Sequence, residues 1–173
     1  MKPLCIDLFC GLGGWTEGFL LEGYECIGVD NDARFAAGYE ALGGHFILAD
    51  VRDLDGRDFL GARCIVASPP CNPYVDLPWY DPPPDDGLWD EAARIAGEAG
   101  IPIVLENVRG AQRARGRAVC HIGSRYLWGY VPPFHPQPQP VYGKWRMPPS
   151  PDRPALRARI PLPLARAVAR GFL

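Results

Sequence analysis

The chain has 173 residues, 47% of them apolar, which suits one domain with a core of its own and argues against wholesale disorder. Its net charge of −2 hides a division: residues 1–108 hold 19 acidic and 6 basic side chains, whereas residues 109–173 hold 1 and 12. No apolar run reaches the roughly 20 residues that a helical membrane span needs, and none of the six cysteines forms a C-x-x-C pair, so neither a membrane helix nor a disulfide scaffold is expected.

The opening stretch, MKPLCIDLFCGLGGW, has no basic region followed by a cleavable apolar segment. We read it as the first strand of the fold and expect a cytoplasmic protein. Residues 3–8 (PLCIDL) are the apolar run of that strand; the glycine-rich FCGLGG follows, then a short helix closed by Gly23. ECIGVD (25–30) reads as a second strand, and NDARFAAGYEAL (31–42) as a helix capped by Asn31 or Asp32. HFILAD (45–50), RCIVAS (63–68) and IPIVLEN (101–107) read as three more strands, the last preceded by a helix over 88–100. Strand and helix alternate at short spacing, which predicts an α/β fold with a doubly wound, Rossmann-like parallel sheet. Each strand ends on a polar residue, Asp7, Asp30, Asp50, Ser68 or Glu106, and the carboxyl ends of such strands are where ligands bind.

The remainder reads differently. Residues 72–87 are rich in proline and aromatics and read as a long loop, and 131–154 as an extended proline-rich segment. PLPLARAVARGFL (161–173) reads as a closing helix. No internal repeat or second domain is evident.

Three short patterns carry chemistry. Asp7 to Gly14 forms a glycine turn between a strand and a helix, where backbone can approach a ligand and free N–H groups point outward. A nicotinamide-binding turn has the same look, but its third glycine would fall at Thr16. Ser68-Pro69-Pro70-Cys71 ends the fourth strand, with two prolines holding the backbone rigid before a thiol. A free thiol is only a few per cent ionised at neutral pH, so helix N-termini or cations nearby would be needed to activate it. Glu106-Asn107-Val108 ends the fifth strand, an acid suited to holding or giving a proton beside the thiol. Alone, each pattern has an ordinary structural alternative: a tight turn, a proline corner, a surface acid.

Taken in order, DLFCGLGG, VD, AD, PPC and ENV resemble the DNA cytosine-5 methyltransferase family over about residues 4–110, and ARIPLPLARAV resembles its last motif. The resemblance implies a single catalytic domain over 1–173, S-adenosyl-L-methionine as cofactor and DNA as partner. It implies that Asp7, Phe9, Gly11, Leu12, Gly13, Asp30, Asn31, Asp50, Val51 and Pro70 form the cofactor site. Within it, Asp30 would take the ribose hydroxyls, Asp50 the adenine amine, and Val51 would pack on the ring. It implies that Cys71 attacks C6 of a cytosine flipped out of the helix, and that Glu106, supported by Asn107, holds the N3 proton that makes C6 electrophilic. The segment 156–173 would close the cofactor pocket.

The sequence also departs from that family. Asn72 follows the nucleophile where the family usually has Gln. The family's Gln-x-Arg-x-Arg motif is not intact; GAQRARGR (110–117) is the nearest basic string, so Arg113, Arg115 and Arg117 are candidate DNA contacts. Arg157-Ala158 stands where the last motif normally opens with Gly-Asn. The stretch available for target recognition, 126–155, is short and proline-rich, with Lys144 and Arg146 as phosphate contacts and Trp145 for stacking. Such a chain resembles phage or prophage members, and weak sequence preference, a separate specificity chain or self-association is expected. Two other readings stand beside this one: an amino-methyltransferase using Ser-Pro-Pro without a thiol, and a cofactor- or DNA-binding relic without activity. No metal site is expected, since Cys120 and His121 lack paired ligand spacing.

Overall fold

The computed structural model describes residues 1–75, 86–134 and 153–173. Seven strands form one sheet: β1 (Leu4–Leu8), β2 (Glu25–Asp30), β3 (His45–Leu48), β4 (Cys64–Ala67), β5 (Ile103–Asn107), β6 (Cys120–Ile122) and β7 (Arg125–Gly129). The helices are α1 (Gly14–Leu21), α2 (Ala36–Ala41), α3 (Gly87–Ala99), α4 (Gln112–Arg115), α5 (Arg153–Ala158) and α6 (Leu162–Gly171). Spatial order is β3-β2-β1-β4-β5-β7-β6. The first five strands are parallel, and β7 pairs antiparallel with both β5 and β6. The chain winds outward from β1 through β2 to β3, then returns to place β4 on the other side of β1. That reversal puts the topological switch point, where open α/β sheets hold their ligands, between β1 and β4.

Strand periodicity sorts the core into two layers. Ile6, Leu8, Ile65 and Ala67 pack with Trp89, Ala92 and Ile95 of α3. Cys5, Cys64 and Val66 belong to the opposite layer with Trp15 and Phe19 of α1 and Leu164, Ala165 and Val168 of α6. A fully buried Ile or Leu contributes about 1.5–3 kcal/mol relative to exposure, and both layers are built of such residues. The layer behind α1 closes tightly because Gly14 and Gly18 lie one turn apart: a Cβ on Gly18 would overlap Ala165, and one on Gly14 would press on the backbone of Ile160. Further ties hold the C-terminal helix: the Tyr24 hydroxyl donates to the Ala169 carbonyl at 3.0 Å and Arg63 Nε to the Phe172 carbonyl at 2.6 Å.

The five parallel strands fall where the apolar runs place them. Three features differ from the sequence expectation. Residues 31–42 divide into a 3-10 turn, Ala33–Phe35, capped by Asp32, and the shorter α2. The proposed closing segment 156–173 begins inside α5 and breaks before α6, because Pro161 disfavours helical backbone at Ile160. Tyr126–Gly129, assigned from sequence to the recognition stretch, belong to β7, which lies between β5 and the edge strand β6 and in which Leu127 is fully buried.

The charge division is partly internal. Arg115, Arg125, Arg159, Arg166 and Arg170, five of the twelve cations after residue 108, pair with Asp86 and Asp90, Glu106, Glu17, or Glu22. Self-complementation of the two halves thus takes up part of the asymmetry. Among the described residues, no helix is long and apolar enough to cross a membrane, and no group of three or more His, Cys, Asp or Glu could hold a metal ion.

Candidate active site at the carboxyl edge of the sheet

The turn after β1 is shaped by backbone that side chains rarely permit. Gly11 and Gly13 lie at φ +47° and +68°, and Phe9, a non-glycine, at +59°. Asp30 at the end of β2 fastens this turn: Gly11 N donates to its Oδ2 at 2.9 Å and Asp32 N to its Oδ1 at 3.0 Å. Partial burial raises the Asp30 carboxyl above its ordinary value, against the lowering effect of these N–H donors.

Below the turn, Asp7 is 1% exposed. Its Oδ2 accepts from the Thr16 hydroxyl at 2.8 Å and from Thr16 N at 3.3 Å, and Thr16 in turn shares a short hydrogen bond with the Tyr39 hydroxyl. Asp7 Oδ1 is buried and has no hydrogen-bond partner among the described residues. Burial pushes the Asp7 carboxyl up to about 8 despite the Thr16 donors. Tyr39 sits in the space that side chains on Gly28 and Gly44 would occupy, and its hydroxyl is pushed far above the usual tyrosine range by the same burial.

Of the other residues expected around a cofactor, Leu12 is half-buried and Asn31 exposed. Asp50 caps the 3-10 turn Val51–Asp53, accepting from Arg52 N at 2.9 Å, and Val51 is buried. Pro70 is exposed one residue before Cys71. The residues fit an adenosyl ligand carrying an amino-acid tail. A glycine turn admits backbone contact, Asp30 is an acceptor set beside that turn, and Asp7 presents an unmatched buried oxygen beneath it.

Across the switch point, the turn leaving β4 carries Cys71. It is exposed, whereas Cys5, Cys10, Cys26 and Cys64 are buried and Cys120 half-buried. Two contacts root this turn. Trp15 Nε1 donates to Ser68 Oγ at 3.0 Å, linking it to α1. Asn107 Nδ2 donates to the Pro69 carbonyl at 2.9 Å, linking it to β5. The other amide atom of Asn107 accepts from Val108 N at 2.8 Å. Asn107 is 2% exposed, with both ends of its amide engaged on backbone.

Glu106 is 4% exposed, beside that turn. Register explains one of its partners. Glu106 stands opposite Leu127 and Asn107 opposite Tyr126, so antiparallel β7 begins at the carboxyl end of β5 and delivers Arg125 there. Arg125 Nη1 lies 3.3 Å from Glu106 Oε1, while its Nη2 donates to the carbonyls of Arg157 and Arg159 at 2.7 and 3.0 Å. A buried charge needs such a partner. The sequence reading missed Arg125. The signal available was Ile122-Gly-Ser-Arg125, a hairpin turn between two short apolar runs, with Gly123 at φ +58°.

The arginines expected to meet DNA separate into two kinds. Arg113 and Arg117 are exposed, on and just after α4. Arg115 is the more enclosed: its side chain is 15% exposed and held by Asp86, Asp90 and Tyr74. Lys144, Trp145 and Arg146 lie outside the described residues.

Comparison with known proteins agrees with this architecture. Residues 4–122 match the family described as C-5 cytosine-specific DNA methylase, and the chain belongs to that family. It is 35% identical over 82 residues to the type II methylase M.HgiDII of Herpetosiphon aurantiacus, a match covering 43% of this chain and 23% of that one. Its fold is shared with a protein described as a DNA modification methyltransferase encoded within an E. coli prophage: TM-score 0.54, 22% identity, covering 66% of this chain and 35% of that one. Schizosaccharomyces pombe Dnmt2 (S. pombe) gives TM-score 0.52 at 18% identity, covering 67% and 37%. The fold is the Rossmann-like fold of S-adenosylmethionine-dependent methyltransferases, and the chain spans 23–37% of the length of these three relatives.

Proposed function

We propose that this chain transfers a methyl group from S-adenosyl-L-methionine to C5 of cytosine in DNA, with Cys71 as nucleophile. The observation that carries the proposal is the juxtaposition at one sheet edge of an exposed thiol on a Pro-Pro turn and a buried, arginine-braced carboxyl on the neighbouring strand. Both stand across the switch point from the glycine turn of a family whose described members methylate cytosine at C-5.

Each residue then has a defined task. The Cys71 thiolate forms a bond to C6 of a flipped cytosine. Glu106 holds a proton at N3 and accepts from the exocyclic amine, drawing electrons from C6. The resulting enamine is nucleophilic at C5, and the cofactor, when bound, supplies an electrophilic methyl group there. A base from solvent takes the C5 proton, the electron pair left on C5 expels Cys71 as its thiolate, and the N3 proton returns to Glu106, which restores the aromatic ring. Arg125 keeps Glu106 oriented, and Asn107 and Trp15 hold the turn that aims Cys71. Asp7, Phe9, Gly11, Leu12, Gly13, Asp30, Asn31, Asp50, Val51 and Pro70 are assigned to the cofactor side, and Arg113 and Arg117 to phosphate.

The same reading assigns target choice to the short stretch after β7, to a separate specificity chain or to self-association, and places the enzyme in the cytoplasm. The test is covalent trapping on DNA containing 5-fluorocytosine, which blocks proton loss from C5. With cofactor present, the wild-type chain should form an adduct that is absent in Cys71→Ala, and Glu106→Gln should slow its formation about 10²–10⁴-fold, the usual worth of a positioned acid. Absence of adduct on mixed-sequence duplex and single-stranded DNA alike would overturn the assignment.

A further inference from the structure

Arg115 is engaged in a way that no DNA contact requires. Its Nε donates to the Tyr74 hydroxyl at 3.1 Å, Nη1 to the Asp90 carboxylate at 2.7 Å, and Nη2 to the Asp86 carbonyl at 2.8 Å. Nη2 also stands 3.1 Å from the Asp86 carboxylate, and the guanidinium carbon lies 5.6 Å from the Trp89 ring centroid. Tyr74 closes the turn that Cys71 opens, its N–H donating to the Cys71 carbonyl at 2.9 Å. Asp86, Trp89 and Asp90 lie at the start of α3. Residues 76–85 connect the two, so one side chain binds both stems of the stretch that begins at the nucleophile.

Backbone packing adds an independent contact. A Cβ on Gly110 would overlap the Tyr74 carbonyl oxygen, so the turn leading into α4 is pressed directly on the Cys71 stem. A planar fork with five donors is suited to reach three partners while stacking on Trp89; an ammonium group has neither the span nor the flat face.

We propose that Arg115 is a positioning residue that clasps the Tyr74 stem to the start of α3 and thereby sets the place of Cys71 for attack. The inference rests on the reading of Cys71 as nucleophile. Misplacing a reacting group by about 1 Å lowers rates about 10²-fold, so the attack step depends on the clasp. Cofactor binding, on the far side of the switch point, does not.

The experiment measures three quantities for wild type, Arg115→Lys and Tyr74→Phe. They are the trapping rate at saturating 5-fluorocytosine DNA, the calorimetric Kd for S-adenosylhomocysteine, and Tm. Arg115→Lys is expected to slow trapping at least about tenfold with Kd within about twofold of wild type. Tyr74→Phe, which removes one leg of the clasp, should slow it less. Wild-type trapping in Arg115→Lys overturns the clasp alone, and so does a slowing matched by equal losses of cofactor affinity and Tm, the mark of a general structural role. Absence of any wild-type adduct overturns the nucleophile reading and the clasp together.

Discussion

The buried Asp7 carboxyl makes folding stability depend on pH in a direction opposite to that of a salt-bridged acid. Held at about 8 in the folded chain and near 3.9 when unfolded, it binds a proton in the native state that the unfolded chain has released. Its contribution is therefore full below about pH 4 and is lost as pH rises through about 8. Asp7→Asn is the perturbation that isolates this effect, since the amide keeps the shape and an acceptor for the Thr16 donors but does not titrate. Between pH 5.5 and 7.5 the stability of the wild type relative to Asp7→Asn should fall by about 2.5 kcal/mol, close to the limit of about 1.4 kcal/mol per pH unit for one group. For a chain of this size that corresponds to about 5–10 °C in Tm. Urea unfolding of both proteins at several pH values in this window measures the difference directly. Curves that run parallel across it would refute the reasoning, since they would mean that Asp7 titrates alike in both states.

Two further outcomes follow from geometry already described. Gly110→Ala should displace the Tyr74 carbonyl and slow trapping by Cys71, with S-adenosylhomocysteine affinity kept, which stopped-flow and calorimetry would show. Arg113→Ala and Arg117→Ala should each weaken DNA binding without regard to sequence and reduce the slope of log K against log salt by about 1, read from fluorescence anisotropy titrations.

The sequence was readable where function is local along the chain. β1, β2, β4 and β5 each bury an apolar run, and a polar residue lies within one position of each strand's end, at Asp7, Asp30, Ser68 and Glu106, while two prolines mark the turn before Cys71. It was unreadable where position depends on pairing between distant segments. Arg125 faces Glu106 only because β7 runs antiparallel to β5 in one register, and strands as short as CHI and RYLWG carry little periodicity. Arg115 looks like a DNA contact in the string QRARGR, because its partners, Tyr74, Asp86 and Asp90, are 25–41 residues away in the chain. For the same reason the charge division is compatible with pairing between the two halves but does not say which acid meets which arginine. Nor does the sequence show that the Asn107 amide, adjacent to Glu106, is bound to backbone at both ends.

The glycine seam between α1 and α6 bears on how such a chain changes over time. Pro132 and Pro133 pack against Gly171, and Gly14 and Gly18 receive Ile160 and Ala165, so the chain is anchored both before and after residues 135–152. The two attachment points are supplied by the core and do not depend on what joins them. Doubling the length of a flexible connection between fixed points adds only about 0.6 kcal/mol of closure entropy. Lengthening the chain between these two anchors should therefore leave the sheet, the glycine turn and the Cys71–Glu106 edge in place.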